Sequence, residues 1–186
     1  MLLEIYFKMR VSKPIVLVGM MGCGKTSMGK LIAQELQFDF IDTDFEIEKK
    51  FNLSIKEIFD NYGEEYFRKI EFDIFKLFKN RDDILISSGG GSFCQVSTYD
   101  LIKKKFLSIW LDVDAKTIFK RVKRNQNKRP LIKGLDEIEL KNTINDLMSK
   151  RKNCYNKADL RIQLHDQKMD KSFNKIYSEI KMHVTK

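Results

Sequence analysis

Ile15-Val-Leu-Val18-Gly19-Met-Met-Gly22-Cys23-Gly24-Lys25-Thr26 is the stretch that decides the fold. Its first four residues are apolar and mostly β-branched, the composition of a strand buried on both faces. From Gly19 onward the chain fits G-x-x-x-x-G-K-[ST], and Lys25 to Leu36 has helical periodicity. A strand, a glycine loop and a helix in that order form a phosphate cradle. The glycines let the backbone turn so that successive N–H groups point inward, and the helix adds its positive end at the same place. Lys25 is expected to reach the β- and γ-phosphates, and the Thr26 hydroxyl suits Mg²⁺. The motif implies a nucleoside triphosphate. It does not by itself separate a kinase from a GTPase-like switch or a nucleic-acid motor, although no guanine-reading element is expected.

Working outward, strand-like runs at Ile15 to Val18, Phe38 to Ile41, Ile84 to Ser87, Leu107 to Leu111 and Leu160 to Leu164 alternate with helical stretches. The best helices are Lys25 to Leu36, Glu64 to Phe78, Ala115 to Lys123, Asp136 to Lys152 and one after Asp170. This alternation predicts an α/β fold with a parallel sheet, whose ligands gather at the carboxyl ends of the strands. A chain of 186 residues, 42% hydrophobic and 11% aromatic, supports one domain with a sizeable core. Residues 1–13 read as a loosely held extension ahead of a single domain over 14–186.

Composition narrows the partners. The formal charge of +9 fits nucleotides, nucleic acid or carboxylated metabolites without choosing among them, and much of it is expected to be solvated lysine on helix faces. No run approaches the roughly 18 apolar residues of a membrane helix, and Glu4 and Lys8 interrupt the N-terminal apolar residues, so a soluble, unexported protein is expected. Cys23, Cys94 and Cys154 are odd in number and far apart, which suggests neither a disulfide framework nor a zinc site.

Three strand ends carry unusual sequence. Asp42-Thr43-Asp44 follows the second strand-like run. Two acids one residue apart can divide labour, one holding water on Mg²⁺ and the other accepting a hydrogen bond from an attacking hydroxyl. Alternatively, Asp42 or Thr43 caps a helix beginning near Phe45. Gly89-Gly90-Gly91 closes the third run and permits close approach. Lys123 to Gly134, KRNQNKRPLIKG, is polar, basic and interrupted by a proline, and reads as a mobile loop between helices.

GMMGCGKT, DTD, FRKIE, GGG, RPLI and an arginine late in a following helix occur in an order that resembles the shikimate kinases, over Ile15 to about Ile180. The resemblance implies a three-layer P-loop kinase fold with a five-stranded parallel sheet, a substrate-binding segment at about 42–72 and a lid at about 123–135. It implies transfer of the terminal phosphate of ATP, with Mg²⁺, to the 3-hydroxyl of shikimate by a cytoplasmic monomer, without nucleic-acid or membrane partners. Gly22, Cys23, Gly24, Lys25, Thr26 and Ser27 are then expected at the ATP phosphates, with Arg121 on adenine. Thr26, and Asp42 through water, are expected to hold the metal. Lys25, Asp44 and Arg129 are the expected catalytic residues, Arg129 acting from the lid. Arg68 and Arg151 match the family's carboxylate-binding arginines, and Gly89, Gly90 and Gly91 its surface against the acceptor.

The residues also admit plainer readings. Arg68 can pair within its helix with Glu64 or Glu71, Arg151 can serve as one more cation near a helix C-terminus, and the basic loop can be solvated. Cys23 is either a thiol activated by the helix end and Lys25 or a small packed side chain. A kinase for another sugar acid such as gluconate, and an ATP-dependent nucleic-acid-binding protein, are the alternatives to the shikimate reading.

Overall fold

A computed structural model describes residues 12–126, 129–166 and 168–184 of the chain. Residues 1–11 of the expected extension, and Asn127 and Lys128 of the expected lid, lie outside the described residues. The elements run β1 (Ile15–Val18), α1 (Lys25–Leu36), β2 (Asp39–Asp42), α2 (Thr43–Phe51), α3 (Ile55–Phe78), β3 (Ile84–Ser87), α4 (Val96–Lys105), β4 (Leu107–Val113), α5 (Ala115–Lys123), α6 (Glu137–Tyr155), β5 (Leu160–Leu164) and α7 (Met169–Val184). The strands form one parallel sheet in the order β2-β3-β1-β4-β5. Every residue of β1 is buried, as the apolar quartet predicts for a central strand covered on both faces. Edge strand β5 instead buries Ile162 and Leu164 and exposes Arg161 and Gln163.

Several boundaries differ from expectation for physical reasons. β2 begins at Asp39 because the Phe38 N–H bonds Ala33 O at 2.8 Å and so belongs to the end of α1, while Asp39 is the first residue in register with β3. β4 runs on to Val113 because Asp112 and Val113 pair with Gln163 and Leu164. The helix expected from Glu64 is the second part of α3, which changes direction at Gly63 (φ 81°, ψ 171°). Its first part starts at a capping box in which Ser54 and Glu57 satisfy each other's backbone N–H groups. α6 extends past Lys152 to Tyr155, while Asp136 caps it by accepting from the Ile138 and Glu139 N–H groups. Helix α4 was not anticipated; it buries only Thr98 and Ile102 and so shows little apolar periodicity.

A large core on the sheet is joined by a smaller cluster of Ile47, Ile58, Phe67 and Ile70, with Phe59 tilted against Phe67 at 4.6 Å between ring centroids. This satellite core fixes α2 against α3 and thereby the side chains those helices present to the sheet end. The lid segment is likewise less solvated than its composition implies. Ile132 is fully buried, and the Gln126 amide donates to Ile132 O and Leu135 O, both at 2.7 Å.

The cysteine expectation is corrected. Cys94 and Cys154 form a disulfide across 60 residues of sequence, their Cα atoms 5.4 Å apart. Sequence separation concealed a close approach between the turn after β3 and the end of α6. Cys23 is buried and free, its sulfur packed near Gly19 and 3.7 Å from Lys25 Nζ, which favours the packed reading over the exposed reactive thiol. Thiol titration of denatured, unreduced protein should find one thiol per chain, and three after reduction. Three before reduction would exclude the bridge.

Candidate active site

The loop Gly19 to Gly24 passes beneath α5, and at Gly22 the backbone has φ 74° with Val122 only 2.6 Å from where a Cβ would stand. Both conditions require glycine. α1 then begins at Gly24 with no side-chain cap, so its leading N–H groups remain directed to the loop. Lys25, nearly buried, folds over the same loop and donates to Gly19 O at 2.8 Å and Met20 O at 3.0 Å.

Asp42 takes the capping role expected of it and also meets Thr26. Its Oδ1 accepts from the Phe45 N–H at 3.4 Å, capping α2, and its Oδ2 accepts from the Thr26 hydroxyl at 2.7 Å. Thr43, fully buried, accepts from the Gly89 N–H at 2.9 Å and so fastens the glycine run to α2. Asp44, on the first turn of α2, has its carboxyl pushed up to about 7. Burial is the main cause, followed by the neighbouring Glu71 and Asp42 carboxylates, with Lys25 acting in the opposite direction.

The expected arginines lie along the glycine run. Arg68 Nη2 is 2.8 Å from the Cβ position of Gly91, and Arg151 Nη1 is 3.2 Å from that of Gly90. A side chain at either glycine would therefore displace a guanidinium, which accounts for close approach here. Arg68 also makes the intrahelical pairs proposed as its plainer role, to Glu64 at 3.0 Å and Glu71 at 2.5 Å. Burial works against its charge, but Glu71 and Glu64 outweigh burial and hold its pKa above the usual value. Glu71 is fully buried and accepts from the Ser92 hydroxyl as well as from Arg68; burial nevertheless raises its pKa.

The P-loop, Asp42, Asp44, Gly90, Arg121 and Arg129 all line a cleft of ≈ 490 Å³. Arg121 Nη1 sits 3.4 Å from the carbonyls of Gly22 and Cys23. Arg129 reaches in from the lid, and its Nε is buried with no hydrogen-bond partner among the described residues. Burial lowers its pKa, opposed by Cys23 and Asp44, and its Nε is without the acceptor among the described residues that a buried donor requires. Exposed Ser27 also lines the cleft, whereas Gly89 and Gly91 lie behind it against Glu71, Ser92 and Arg68.

Sequence reasoning missed Leu164, Met169 and Ser172, which the β5–α7 junction brings to the cleft beside Arg121. It also missed Ser92 and Tyr155, and took Glu71 only as a helical partner of Arg68. No local pattern distinguishes these residues, because their partners come from other elements. One reading needs correction outright: Asn156-Lys157-Ala158-Asp159 does match the guanine-reading pattern N-K-x-D. It precedes β5, however, and Asp159 is occupied there by the Ser108 N–H and hydroxyl and by Lys103. That is the amino end of the strand, opposite the phosphate loop, so the match serves packing.

Thr26 and Asp42 offer hard oxygen donors already in contact at 2.7 Å, and no group of three or more His, Cys, Asp or Glu stands ready to enclose an ion among the described residues. This donor set fits Mg²⁺, which keeps several waters and takes few protein ligands beside phosphate. No helix among the described residues is long and apolar enough to cross a membrane.

Comparison with known proteins agrees with this geometry. The family model for shikimate kinase matches residues 21–181. A shikimate kinase of Flavobacterium johnsoniae is 37% identical over 164 residues, covering 87% of this chain and 95% of the relative. A shikimate kinase from Acinetobacter baumannii, solved in complex with shikimate, superposes with a TM-score of 0.85 at 28% identity, covering 94% of this chain and 96% of that one. The shikimate kinase of Bacteroides thetaiotaomicron superposes with a TM-score of 0.84 at 28% identity, over 91% of this chain and 98% of that one. A phosphate loop backed by an acidic strand end, and two arginines laid along a triple glycine, are thus found in a chain that belongs to the shikimate kinase family.

Proposed function

We propose that this protein transfers the γ-phosphate of ATP to the 3-hydroxyl of shikimate, giving shikimate 3-phosphate for aromatic amino-acid synthesis, as a cytoplasmic monomer that uses Mg²⁺. The observation that carries the reading is the meeting of Asp44, Arg68 and Arg151 at one glycine run beside the phosphate loop. A carboxylated ring alcohol needs both features, a fork for its carboxylate and an acceptor for its hydroxyl proton. Residues 42–72 form the acceptor-binding segment, stiffened by the satellite core.

The N–H groups at the start of α1 receive the ATP phosphates, with Lys25 exchanging its carbonyl partners for phosphate oxygens. The Thr26 hydroxyl, and Asp42 through water, would hold Mg²⁺, which would neutralise phosphate charge when bound. Arg68 and Arg151 bind the acceptor carboxylate through paired hydrogen bonds, and the ring lies against Gly90 of the glycine run. Glu71 holds Arg68 from behind, so part of the fork is oriented before the acceptor arrives. Asp44, once ionised, accepts the hydrogen bond of the 3-hydroxyl and aims its oxygen at the γ-phosphorus. Arg129 completes its hydrogen bonds on the transferring phosphoryl group, whose spread negative charge suits a guanidinium. Arg121 lies over the adenine side of the cleft.

Measuring ADP release with shikimate, gluconate and no acceptor tests the assignment directly, and turnover with gluconate alone would overturn it. Because the Asp44 carboxyl is raised to about 7, the ionised form is lost as pH falls through that value. The value of kcat/KM for shikimate should therefore fall below about pH 7. Asp44→Asn should abolish turnover and leave MgATP affinity nearly unchanged. Its folded pKa lies above the unfolded value of 3.8, so the stability that Asp44 contributes when protonated is lost as pH rises from that value to about 7 and is wholly gone above it. Melting should show the Asn variant stabilised at pH 8, by about 2–4 °C for each kcal/mol relieved, and less so at pH 5.

Replacing Arg68 or Arg151 by Lys should weaken shikimate binding on the order of tenfold in calorimetry, since an ammonium cannot reproduce the fork. Arg129→Ala should differ in kind, lowering kcat about 10²-fold or more while shikimate affinity changes little. A loss confined to shikimate affinity would remove Arg129 from the transfer step.

A further inference from the structure

Arg151 and Tyr155 stand four residues apart on α6, one turn along the same face, and both meet Gly90. Arg151 Nη1 lies 3.2 Å from the Cβ position of Gly90, while the Tyr155 hydroxyl donates to Gly90 O at 2.5 Å. Tyr155 is only 2% exposed, and its ring leans on Trp110 with centroids 5.8 Å apart. Burial pushes its phenol well above the usual value, opposed by the adjacent Arg151, so the donor proton stays in place at any working pH.

The bond to Gly90 O has a consequence one residue further on. No peptide in the described chain is cis, so Gly90 O and the Gly91 N–H point in opposite directions within one rigid plane. Anchoring the oxygen fixes that plane. Gly91, across it, packs directly on the Arg68 guanidinium, with Nη2 2.8 Å from its Cβ position. The hydroxyl thus pins the backbone oxygen in the stretch that separates the two arginines. The Ser92 N–H closes a turn onto Gly89 O at 3.2 Å around this peptide, and within that turn glycine at both flanking positions lets the peptide plane flip unless its oxygen is held. The neighbouring Cys154 is bonded to Cys94, which ties the same helix end to the turn beyond Gly91 without touching the Gly90 peptide itself.

We propose that Tyr155 is a positioning residue for the acceptor: by holding the Gly90–Gly91 peptide it sets the spacing of Arg68 and Arg151 to the width of the acceptor carboxylate. The proposal rests on the carboxylate-clamp reading above, and its test keeps the two separable. Tyr155→Phe removes the hydroxyl and retains the ring against Trp110, so the helix end stays packed.

Shikimate affinity by calorimetry, steady-state kinetics and melting are measured for Tyr155→Phe, Arg151→Lys and the double variant. Tyr155→Phe should weaken shikimate binding and raise its KM about three- to tenfold, the range one buried hydrogen bond supports, with kcat, MgATP affinity and Tm little changed. The double variant should lose less than the product of the single losses, because the hydroxyl acts through the arginine's position. Unchanged shikimate affinity in Tyr155→Phe, beside a loss in Arg151→Lys, would overturn the role of Tyr155 and leave the clamp standing. Equal losses for shikimate and MgATP, or losses that multiply in full, would also overturn it, showing general support in place of positioning. Unchanged affinity in Arg151→Lys would remove the clamp, and the Tyr155 proposal with it.

Discussion

The parallel pairing of β1 with β3 is the constraint on which the rest of the molecule depends. Ile15 lies opposite Leu85 and Leu17 opposite Ser87, and just beyond the ladder Ser88 closes on Leu17 O with both its N–H and its hydroxyl. Both strands are buried throughout, so a slip would break hydrogen bonds that no water could replace. In this register the chain leaves β1 as the phosphate loop and leaves β3 as the glycine run, side by side. The carbonyl of Gly19 and the N–H of Met21 both come within 4 Å of the Cβ position of Gly90. Donor site and acceptor site are neighbours because two strand ends are neighbours.

Around that junction, charge is arranged in opposed layers. Asp42 and Asp44 line the cleft with Glu71 behind them at Gly89, and Lys25, Arg68 and Arg129 come to this acidic group from different elements. The acids are not equivalent. Glu71 accepts from Arg68 and Ser92, and Asp42 from Thr26 and the start of α2, while burial raises the basicity of Glu71 and of Asp44, the latter to about 7. Mutual repulsion and burial distinguish three chemically similar carboxylates by their surroundings. The same reasoning separates the arginines: Arg68 is already paired with Glu71, while Arg129 has a buried Nε without a hydrogen-bond partner among the described residues.

Much of this was legible in the sequence wherever a local rule applied. The limits of β1, β3 and β5 were readable because buried strands carry unbroken or alternating apolar runs. The phosphate loop was readable because glycine is required at specific backbone angles, and Asp42 because a carboxylate before a helix caps it. Helix α4 and the first part of α3 escaped because few of their side chains are buried, so little periodicity marks them. The disulfide escaped because 60 residues of chain say nothing about where two sulfurs meet.

The sequence by itself therefore determined the α/β class, the phosphate cradle and the candidate residues Asp44, Arg68, Arg129 and Arg151, all of which follow from spacing along one segment or from an ordered set of motifs. Tertiary structure alone decided that Glu71 backs Arg68, that N-K-A-D at Asn156–Asp159 is packing, that Cys23 is buried, and that Tyr155 holds Gly90. The physical reason is range. Backbone angles, caps and helical faces are fixed within a few residues, whereas burial, the basicity of Asp44 and the partner of a hydroxyl depend on atoms that folding brings in from 27 to 65 residues away.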